Sequence, residues 1–393
     1  MSRTKYTLFS QILSKLDRSI FQKLVKKYKT DKHSKTFDSW THLVAMLFMH
    51  FAGIESLRDI SHGLRSVSGN LNHLGVGKAP SKSILSYQNK RRDHRLFQDY
   101  YFAILDKLEP SLQKRRLYAR QIKRKIYILD STIIPLCLSL FDWAKFRTTK
   151  GVVKLHAVLD YDSHLPSYVT IGEGREHDLK AARVMSFPEK SVVVMDRAYV
   201  DFQWLFSLDS NGVYFVTRLK SNAVIQVAER FMTNSQKEHI LRDEDIRLLL
   251  PDSYKNYPRT LRLVRVWDEK NNKTLLLLTN NFDWTAENVS QLYKARWDVE
   301  VFFKHLKQLF KVKTFVGTSE NAVRIQMWCA LITILLFKYL ENTAKHQWHL
   351  SNLVTFLRIN LLVKINLGKW LDQPFEIREK PPPQPTLFSL EGV

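Results

Sequence analysis

Two aspartates follow short apolar runs that have the composition of buried β-strands. Asp130 comes directly after residues 126–129, and Asp196 comes directly after residues 191–195. A carboxylate at the end of a buried strand is unfavourable unless a partner compensates its charge, and the sites of α/β proteins assemble where strands end. Either aspartate alone could equally be a turn cap, so position makes both of them candidates for catalysis without deciding between the two interpretations.

A third carboxylate, Glu300, lies within residues 286–310, where apolar residues recur three and four positions apart and predict one long helix. A neighbouring stripe of the same period consists of polar side chains: Tyr293, Arg296, Glu300, Lys304 and Lys307. Such a stripe can be ordinary surface ion pairing, which adds little stability. Because it borders the apolar seam, Glu300 is expected to be only partly exposed, between two cations at i−4 and i+4. That environment makes Glu300 a candidate metal ligand.

Three carboxylates on separate elements are suited to phosphodiester chemistry. Mg²⁺ prefers hard oxygen ligands, and a pair of divalent ions can both activate a water and stabilise the leaving oxygen. We therefore predict that the catalytic residues and metal ligands are Asp130, Asp196 and Glu300. Arginine matches phosphate geometry with two hydrogen bonds, and the residues predicted to contact phosphates beside the carboxylates are Tyr293, Arg296, Lys304 and Lys307.

The elements that would position these residues differ along the chain. Residues 1–115 have helical apolar spacing and predict an all-α N-terminal domain. Short β-rich runs then alternate with helical patterns over residues 116–345, which predicts an α/β domain with a sheet and helices. Residues 222–283 interrupt this alternation with a charged helical pattern at 235–250 and two strand-like runs, so they are predicted to be an insertion. Residues 346–393 predict a C-terminal helical segment and a proline-rich tail.

The chain is strongly basic. Its 393 residues include 61 Lys and Arg against 38 Asp and Glu, a net charge of +23. A field of this size attracts polyanions, and neutralising phosphates releases counterions, so nucleic acid is the predicted partner. The other interpretation is a basic but ordinary enzyme. A two-carboxylate hydrolase of small substrates is disfavoured by the same charge.

A basic helix is predicted at residues 83–95, where Ser81 can act as the N-cap. It follows a short predicted helix and a turn-rich stretch, which is the layout of a helix-turn-helix reader. The side chains predicted to contact DNA from this helix are Lys90, Arg91 and Arg92. The alternative interpretation is a solvated basic face on an ordinary helical bundle.

The two cysteines, Cys137 and Cys329, are too few for a disulfide framework or a CxxC zinc site. The N-terminus lacks the apolar core of a signal peptide. The longest apolar runs, residues 43–51 and 327–337, are shorter than the roughly 20 residues of a membrane helix. We expect buried helices, no membrane segment and a cytoplasmic protein.

The spacing Tyr293-x2-Arg296-x3-Glu300-x6-Lys307 resembles the YREK signature of the insertion-sequence-4 family of DDE transposases. Asp130 within LDST and Asp196 within VVMDRAY are similar to that family's first and second catalytic aspartates. The resemblance covers roughly residues 125–337. It implies a ribonuclease H-like catalytic domain with a β-rich insertion before the glutamate, behind a helical leader domain.

The resemblance further implies Mg²⁺ or Mn²⁺, double-stranded DNA with terminal inverted repeats as the substrate, cleavage followed by strand transfer, and a homodimer in the synaptic complex. Some relatives excise through a hairpin, with an aromatic residue near the end of the insertion holding a flipped base. Here Leu275 stands where a relative has Trp, and Trp267 and Trp284 are the candidate substitutes. This departure leaves the excision route open.

Two other functions on the same fold stay open. A standalone DNA nuclease would cut without inverted repeats or a second DNA end. A catalytically inactive DNA-binding regulator is disfavoured because all three acids and the signature are present. A further polar cluster, Glu176, His177 and Asp178, is predicted to be a loop with a helix N-cap; the alternatives are groups that support the site or an extra ligand.

Overall fold

The computed structural model describes residues 4–32, 34, 36–67, 69, 71–112, 122–136, 145–146, 150–173, 178–231, 239–308 and 315–375. The N-terminal part is helical, as predicted. Its helices are α1 (Leu8–Leu13), α2 (Arg18–Tyr28), α3 (Ser39–Ala52), α4 (Leu57–Ser66), α5 (Lys82–Arg91) and α6 (Arg95–Leu112). Side-chain oxygens that accept backbone N–H groups of the first turn begin five of these helices: Thr7, Asp17, Asp38, Ser56 and Ser81.

A ten-stranded mixed sheet follows. Its strands are β1 (Ile126–Leu136), β2 (Lys145–Phe146), β3 (Lys150–Asp160), β4 (Leu165–Glu173), β5 (Val192–Met195), β6 (Tyr214–Arg218), β7 (Ile225–Phe231), β8 (Ile240–Leu248), β9 (Leu261–Asp268) and β10 (Lys273–Thr279). The order β4-β3-β1-β5-β6 pairs β1 antiparallel with β3 but parallel with β5, and β5 parallel with β6. This is the ribonuclease H-like arrangement, so the predicted fold class is confirmed.

Helices cover both faces of the sheet. The helices after residue 177 are α7 (Asp178–Arg183), α8 (Phe202–Ser210), α9 (Pro251–Asn256), α10 (Ala286–Ala295), α11 (Trp297–Gln308), α12 (Glu320–Thr343), α13 (Leu350–Asn360) and α14 (Leu367–Asp372). The last two pack on other helices, α13 against α3 and α12 and α14 against α1. Because strand side chains alternate between faces, neighbouring residues of β1 enter different cores. Ile128 packs in the core shared with α10, α11 and α12, and Leu129 packs in the core shared with α7 and α8.

The insertion is an extension of the central sheet. β10 pairs antiparallel with β6, and β9, β8 and β7 continue outward from it. The prediction of a charged helix at residues 235–250 is wrong for the residues that the structure describes, because Ile240–Leu248 is strand β8. β8 hydrogen-bonds to strands on both sides and buries Ile246 and Leu248. Pairing with β7 and β9 therefore overrides the local helical pattern of these residues.

The 24-residue helix α12 is long and apolar enough to cross a membrane, but 83% of its most apolar window is buried inside the protein. It packs against α3, α5 and α6 of the N-terminal part. The Asn321 side chain donates to the carbonyls of Asn89 and Arg92, at 2.9 and 2.7 Å. α12 is therefore a buried helix, as predicted for its apolar run. It connects the N-terminal helices to the face of the sheet that packs against α10 and α11.

Candidate active site

The two aspartates lie on neighbouring parallel strands. Asp196 comes directly after β5 and caps a 3-10 turn, Arg197–Tyr199, by accepting the Arg197 backbone N–H at 2.6 Å. Asp130 does not end its strand as predicted, because β1 continues to Leu136 through its antiparallel pairing with β3. The parallel pairing of β1 with β5 stops at Leu129. Asp130 thus lies where the two parallel strands separate, beside the turn that begins at Asp196.

The helix that contains Glu300 is broken. One helix was predicted over residues 286–310, but α10 ends at Ala295 and α11 begins at Trp297. At the break the amide of Arg296 bonds to the carbonyl of Tyr293, and the amide of Val299 to that of Arg296, at 3.1 and 3.3 Å. These bonds span three residues instead of four, which tightens the backbone. Tyr293 and Glu300 therefore lie on two helices that meet at Arg296.

The side chain of Arg296 joins two of the carboxylates. Its guanidinium lies 2.8 Å from Glu300 Oε1 and 3.4 Å from Asp130 Oδ2. Burial raises the pKa of Asp130 to about 6; a hydrogen bond from the Ser131 backbone and the charge of Arg296 oppose the rise, and the charges of Asp196 and Glu300 add to it. The three acids are therefore close enough to interact electrostatically, although they come from β1, β5 and α11.

The chemistry of this set suits a hard divalent cation. Within the described ranges, no three or more His, Cys, Asp or Glu side chains are arranged as a ready-made metal cluster. Two of the three carboxylates instead share the cationic guanidinium of Arg296, and Asp130 is disfavoured as an anion by its like-charged neighbours. Oxygen ligands that repel one another and already attract a cation fit Mg²⁺ or Mn²⁺ by donor type.

The other residues of the polar stripe lie at different distances from the three carboxylates. Lys307 Nζ donates to the hydroxyl of Thr132, two residues along β1 from Asp130. The Tyr293 side chain is buried, its ring lies 5.9 Å from the Arg296 guanidinium, and burial raises the pKa of its hydroxyl. Lys304 is exposed on α11. Lys307 and Tyr293 therefore border the site directly, whereas Lys304 faces solvent one turn beyond Glu300.

A groove of about 910 Å³ leads away from Asp196 and Arg296 towards the insertion. Its lining is rich in cations and aromatic rings, namely Arg197, Arg218, Lys270, Lys273, Lys294, Trp267 and Trp297. Neither Arg218 nor Trp297 was among the residues predicted from the sequence. Arg218 ends β6, the parallel neighbour of β5, so the strand-end rule that selected Asp196 could have found it. Nothing in the sequence marks Trp297 beyond its adjacency to Arg296.

The two candidate tryptophans have different environments. Trp267 is 38% exposed and lines the groove. Trp284 is buried, and its ring packs 5.4 Å from that of Tyr214. Of the two, Trp267 is therefore the one that a DNA base can reach.

Two of the three cations predicted to contact DNA from the basic helix are exposed to solvent. Lys90 and Arg91 are exposed on α5, and the Arg91 guanidinium lies 5.2 Å from the ring of exposed Tyr87. Arg92 is 3% exposed and donates to the carbonyls of Asp38 and Phe37 at 3.1 and 3.0 Å. The structure does not support a DNA contact by Arg92, because its guanidinium is buried and binds backbone carbonyls of the loop before α3.

The polar cluster after β4 is described only in part. Glu176 and His177 lie outside the described residues. Asp178 begins α7 and accepts a hydrogen bond from the Ser131 hydroxyl at 2.6 Å. It therefore touches the residue that follows Asp130.

Comparison with known proteins shows the family of this chain. The family described as "Transposase DDE domain" matches residues 121–336, and a domain of unknown function (DUF4372) matches residues 4–77. The protein y4zB of Sinorhizobium fredii, which is named as a transposase, is 28% identical over 66% of this chain and 71% of its own length. A transposase for insertion sequence element IS231D of Bacillus thuringiensis is 22% identical over 84% of this chain and 78% of its own length.

A cryo-EM structure of the piggyBac transposase synaptic complex with hairpin DNA is a distant likeness, with a TM-score of 0.41 and 12% identity over 90% of this chain and 78% of that one. The family match covers more than half of the chain and contains all three carboxylates. The chain therefore belongs to the DDE transposase family, as the insertion-sequence-4-like signature predicted, and is a DNA transposase.

Proposed function

We propose that this transposase binds the terminal inverted repeats of an insertion sequence, cuts the DNA there and joins the freed 3′ end to a target. The observation that carries the proposal is the convergence of Asp130, Asp196 and Glu300 from three separate elements: Arg296 contacts Asp130 and Glu300, and Asp196 lies close enough to Asp130 to act on its charge. A carboxylate set of this kind, opening onto a cationic groove, suits phosphodiester cleavage and transesterification.

Asp130, Asp196 and Glu300 would hold Mg²⁺ or Mn²⁺ in this proposal. When bound, such ions supply an activated water and stabilisation of the leaving oxygen. The protein's own contribution is to hold three oxygen ligands at the junction of β1, β5 and α11. Arg296 offsets part of the negative charge of two of them, since its guanidinium contacts Asp130 and Glu300.

The groove would receive the DNA end. Arg218, Lys270, Lys273 and Lys294 line it with positive charge, which suits a phosphate backbone. Arg296, Lys307 and Tyr293 would position the phosphates nearest to the carboxylates, and Lys304 would contact the backbone further out. Trp267 and Trp297 offer ring faces on which an unpaired base can stack.

The N-terminal helices would bind the adjoining duplex. The exposed face of α5 presents Lys90, Arg91 and Tyr87, and α12 joins this helix to the helical face of the catalytic sheet. Two copies would act together in the synaptic complex, each on one transposon end. The working location would be the bacterial cytoplasm, where the DNA lies.

The proposal is tested with a duplex that ends in the inverted repeat flanking the reading frame. In Mg²⁺ the protein should cut at the end, and a pre-cut 3′-hydroxyl end should be joined to a target plasmid. Asp130→Ala, Asp196→Ala and Glu300→Ala should each abolish both reactions while leaving end binding largely unchanged. Glu320→Ala is the matched control, because Glu320 pairs with Arg324 at i+4 as Glu300 pairs with Arg296, yet lies on exposed surface of α12.

Each alternative predicts a different result. Cutting that ignores the inverted repeat, with no joining of a pre-cut end, would identify a standalone nuclease. End binding without cutting, and no Mn²⁺ binding by isothermal titration, would identify an inactive regulator. Full cutting by any one of the three alanine variants in Mg²⁺ would overturn the assignment of that carboxylate.

A further inference from the structure

We propose that Asp178 is a positioning residue for the catalytic carboxylates, acting from the opposite face of the sheet. This inference rests on the proposed function of Asp130 and Asp196. Asp178 would hold the middle of β1 and the turn after β5 at a constant separation, so that the two aspartates keep the spacing that cleavage needs.

The Asp178 carboxylate gathers polar groups from three elements. It accepts a hydrogen bond from the Ser131 hydroxyl of β1 at 2.6 Å and from the Tyr199 hydroxyl at 3.4 Å. From β3 it forms an ion pair with Lys154 at 3.0 Å, and the Nδ1 atom of His156 lies 3.5 Å away. Lys154 and His156 are 11% and 0% exposed, so these contacts are made largely out of water, where such interactions are stronger.

Two of these contacts lie next to the catalytic aspartates in the chain. Ser131 follows Asp130, and its backbone N–H donates to the Asp130 carboxylate at 2.7 Å. Tyr199 closes the 3-10 turn that Asp196 caps. A movement of Ser131 or of this turn therefore displaces a catalytic carboxylate directly.

The alternation of side chains explains why Asp178 can do this without approaching the reaction. Asp130 and Thr132 point towards α10 and α11, where they meet Arg296 and Lys307. Ser131 points to the other face, towards α7. Asp178 thus sits behind the strand and leaves the catalytic face free for DNA.

Asp178 holds its neighbours in its ionised form. Burial works against its ionised form, but hydrogen bonds from Ser131 and Lys154 hold its pKa below the ordinary value. An asparagine keeps the shape and can still accept from Ser131, but it removes the negative charge that pairs with the Lys154 ammonium. Asp178→Asn therefore tests the ionic tie, and Ser131→Ala tests the hydrogen bond to β1.

The experiment compares Asp178→Asn and Ser131→Ala with Asp209→Asn. Asp209 is a matched control, because it is a partly buried carboxylate that binds Arg259 and the Asn280 amide at 2.8 Å each, away from both catalytic aspartates. For each variant we would measure the single-turnover cleavage rate, the Kd for the DNA end, the melting temperature and Mn²⁺ binding by isothermal titration without DNA.

We expect Asp178→Asn to lower the cleavage rate and the Mn²⁺ affinity by about 10- to 100-fold, the range seen when a partner of a metal-holding residue is lost. The Kd for the DNA end should stay within about 2-fold, since the groove and α5 are untouched. Ser131→Ala should shift the same two quantities in the same direction. Asp209→Asn should lower the melting temperature comparably without changing either.

Equal losses of rate and Mn²⁺ affinity in Asp178→Asn and Asp209→Asn would show a general effect on stability and overturn the proposal. So would unchanged cleavage in Asp178→Asn. The proposed function fails separately, because that failure requires Asp130→Ala or Asp196→Ala to cut at the wild-type rate. An inactive Asp130→Ala beside a fully active Asp178→Asn would refute only the positioning role.

Discussion

The guanidinium of Arg296 lies 3.4 Å from the carboxylate of Asp130, although 166 positions separate the two residues in the chain. The contact exists because the helix predicted across this region breaks at Arg296 and turns its side chain towards β1. The same guanidinium lies 2.8 Å from Glu300, so one cation contacts two of the three acids.

The first prediction concerns the pH dependence of stability. Because the pKa of Asp130 rises to about 6 in the folded protein from 3.8, the folded state binds this proton more tightly than the unfolded state. The stabilising contribution is complete below pH 3.8 and is lost as the pH rises through about 6. Asp130→Asn lacks this titration, so its free energy of unfolding relative to wild type should rise by about 2 kcal/mol between pH 4 and pH 7.5.

This difference is measured by urea unfolding at a series of pH values in EDTA. Asp268→Asn, which removes the half-buried carboxylate that caps a 3-10 turn of the insertion, is the control for replacing an aspartate with asparagine outside the three-carboxylate set. A flat difference for Asp130→Asn across the series would contradict the prediction.

The second prediction concerns the buried ion pair in the insertion. Arg262 binds Asp243 through two hydrogen bonds of 2.8 and 2.6 Å and also donates to the carbonyl of Trp284 just before α10. Removing one partner leaves an uncompensated buried charge, so Arg262→Met should lower the free energy of unfolding by about 3–5 kcal/mol. Chemical denaturation measures this change.

The control for that pair is Arg259→Met. Arg259 pairs with Asp209 but is 56% exposed, so its loss should change the free energy of unfolding by only about 0–1 kcal/mol. Similar losses in the two variants would mean that burial does not set the strength of the Arg262 pair.

The third prediction concerns the two candidate base-stacking tryptophans, Trp267 and Trp284. Trp267→Ala should weaken binding of a DNA end that has an unpaired base by about 10-fold, since stacking contributes roughly 1–3 kcal/mol per base. Its melting temperature should hardly change, because Trp267 is exposed in the groove. Fluorescence anisotropy with fully paired and unpaired ends measures the effect.

Trp284→Ala should behave in the opposite way. Its buried ring packs against Tyr214, so truncation should lower the free energy of unfolding by about 3–5 kcal/mol. Equal affinity of wild type and Trp267→Ala for the unpaired end would exclude a base-stacking role for Trp267.

The fourth prediction divides the cations at the end of α5. Lys90→Ala and Arg91→Ala should each weaken end binding and reduce the slope of log K against log salt by about 1, without lowering the melting temperature. Arg92→Ala should mainly lower the melting temperature, because Arg92 holds the carbonyls of Phe37 and Asp38. Salt titrations and thermal melts distinguish these outcomes, and an unchanged slope in the first two variants would remove α5 from the DNA interface.

Much of the fold and of the candidate site could be predicted from local sequence. The apolar runs before Asp130 and Asp196 predicted two buried strands, and β1 and β5 lie at those positions. The spacing of Tyr293, Arg296, Glu300 and Lys307 identified the family, since a signature needs only residue types at fixed separations. Composition and alternation of strands with helices were sufficient for the fold class, because both are short-range properties.

Tertiary structure decided the remainder. Residues 240–248 form a strand because β7 and β9 pair with them, whereas their own sequence looks helical. Arg92 is buried and Lys90 is not, a difference that depends on where α5 packs against its neighbours. The contact of Arg296 with Asp130, and that of Asp178 with Ser131, join residues far apart in the chain. Local periodicity contains no information on such pairs, because burial and long-range contact arise only when the whole chain folds.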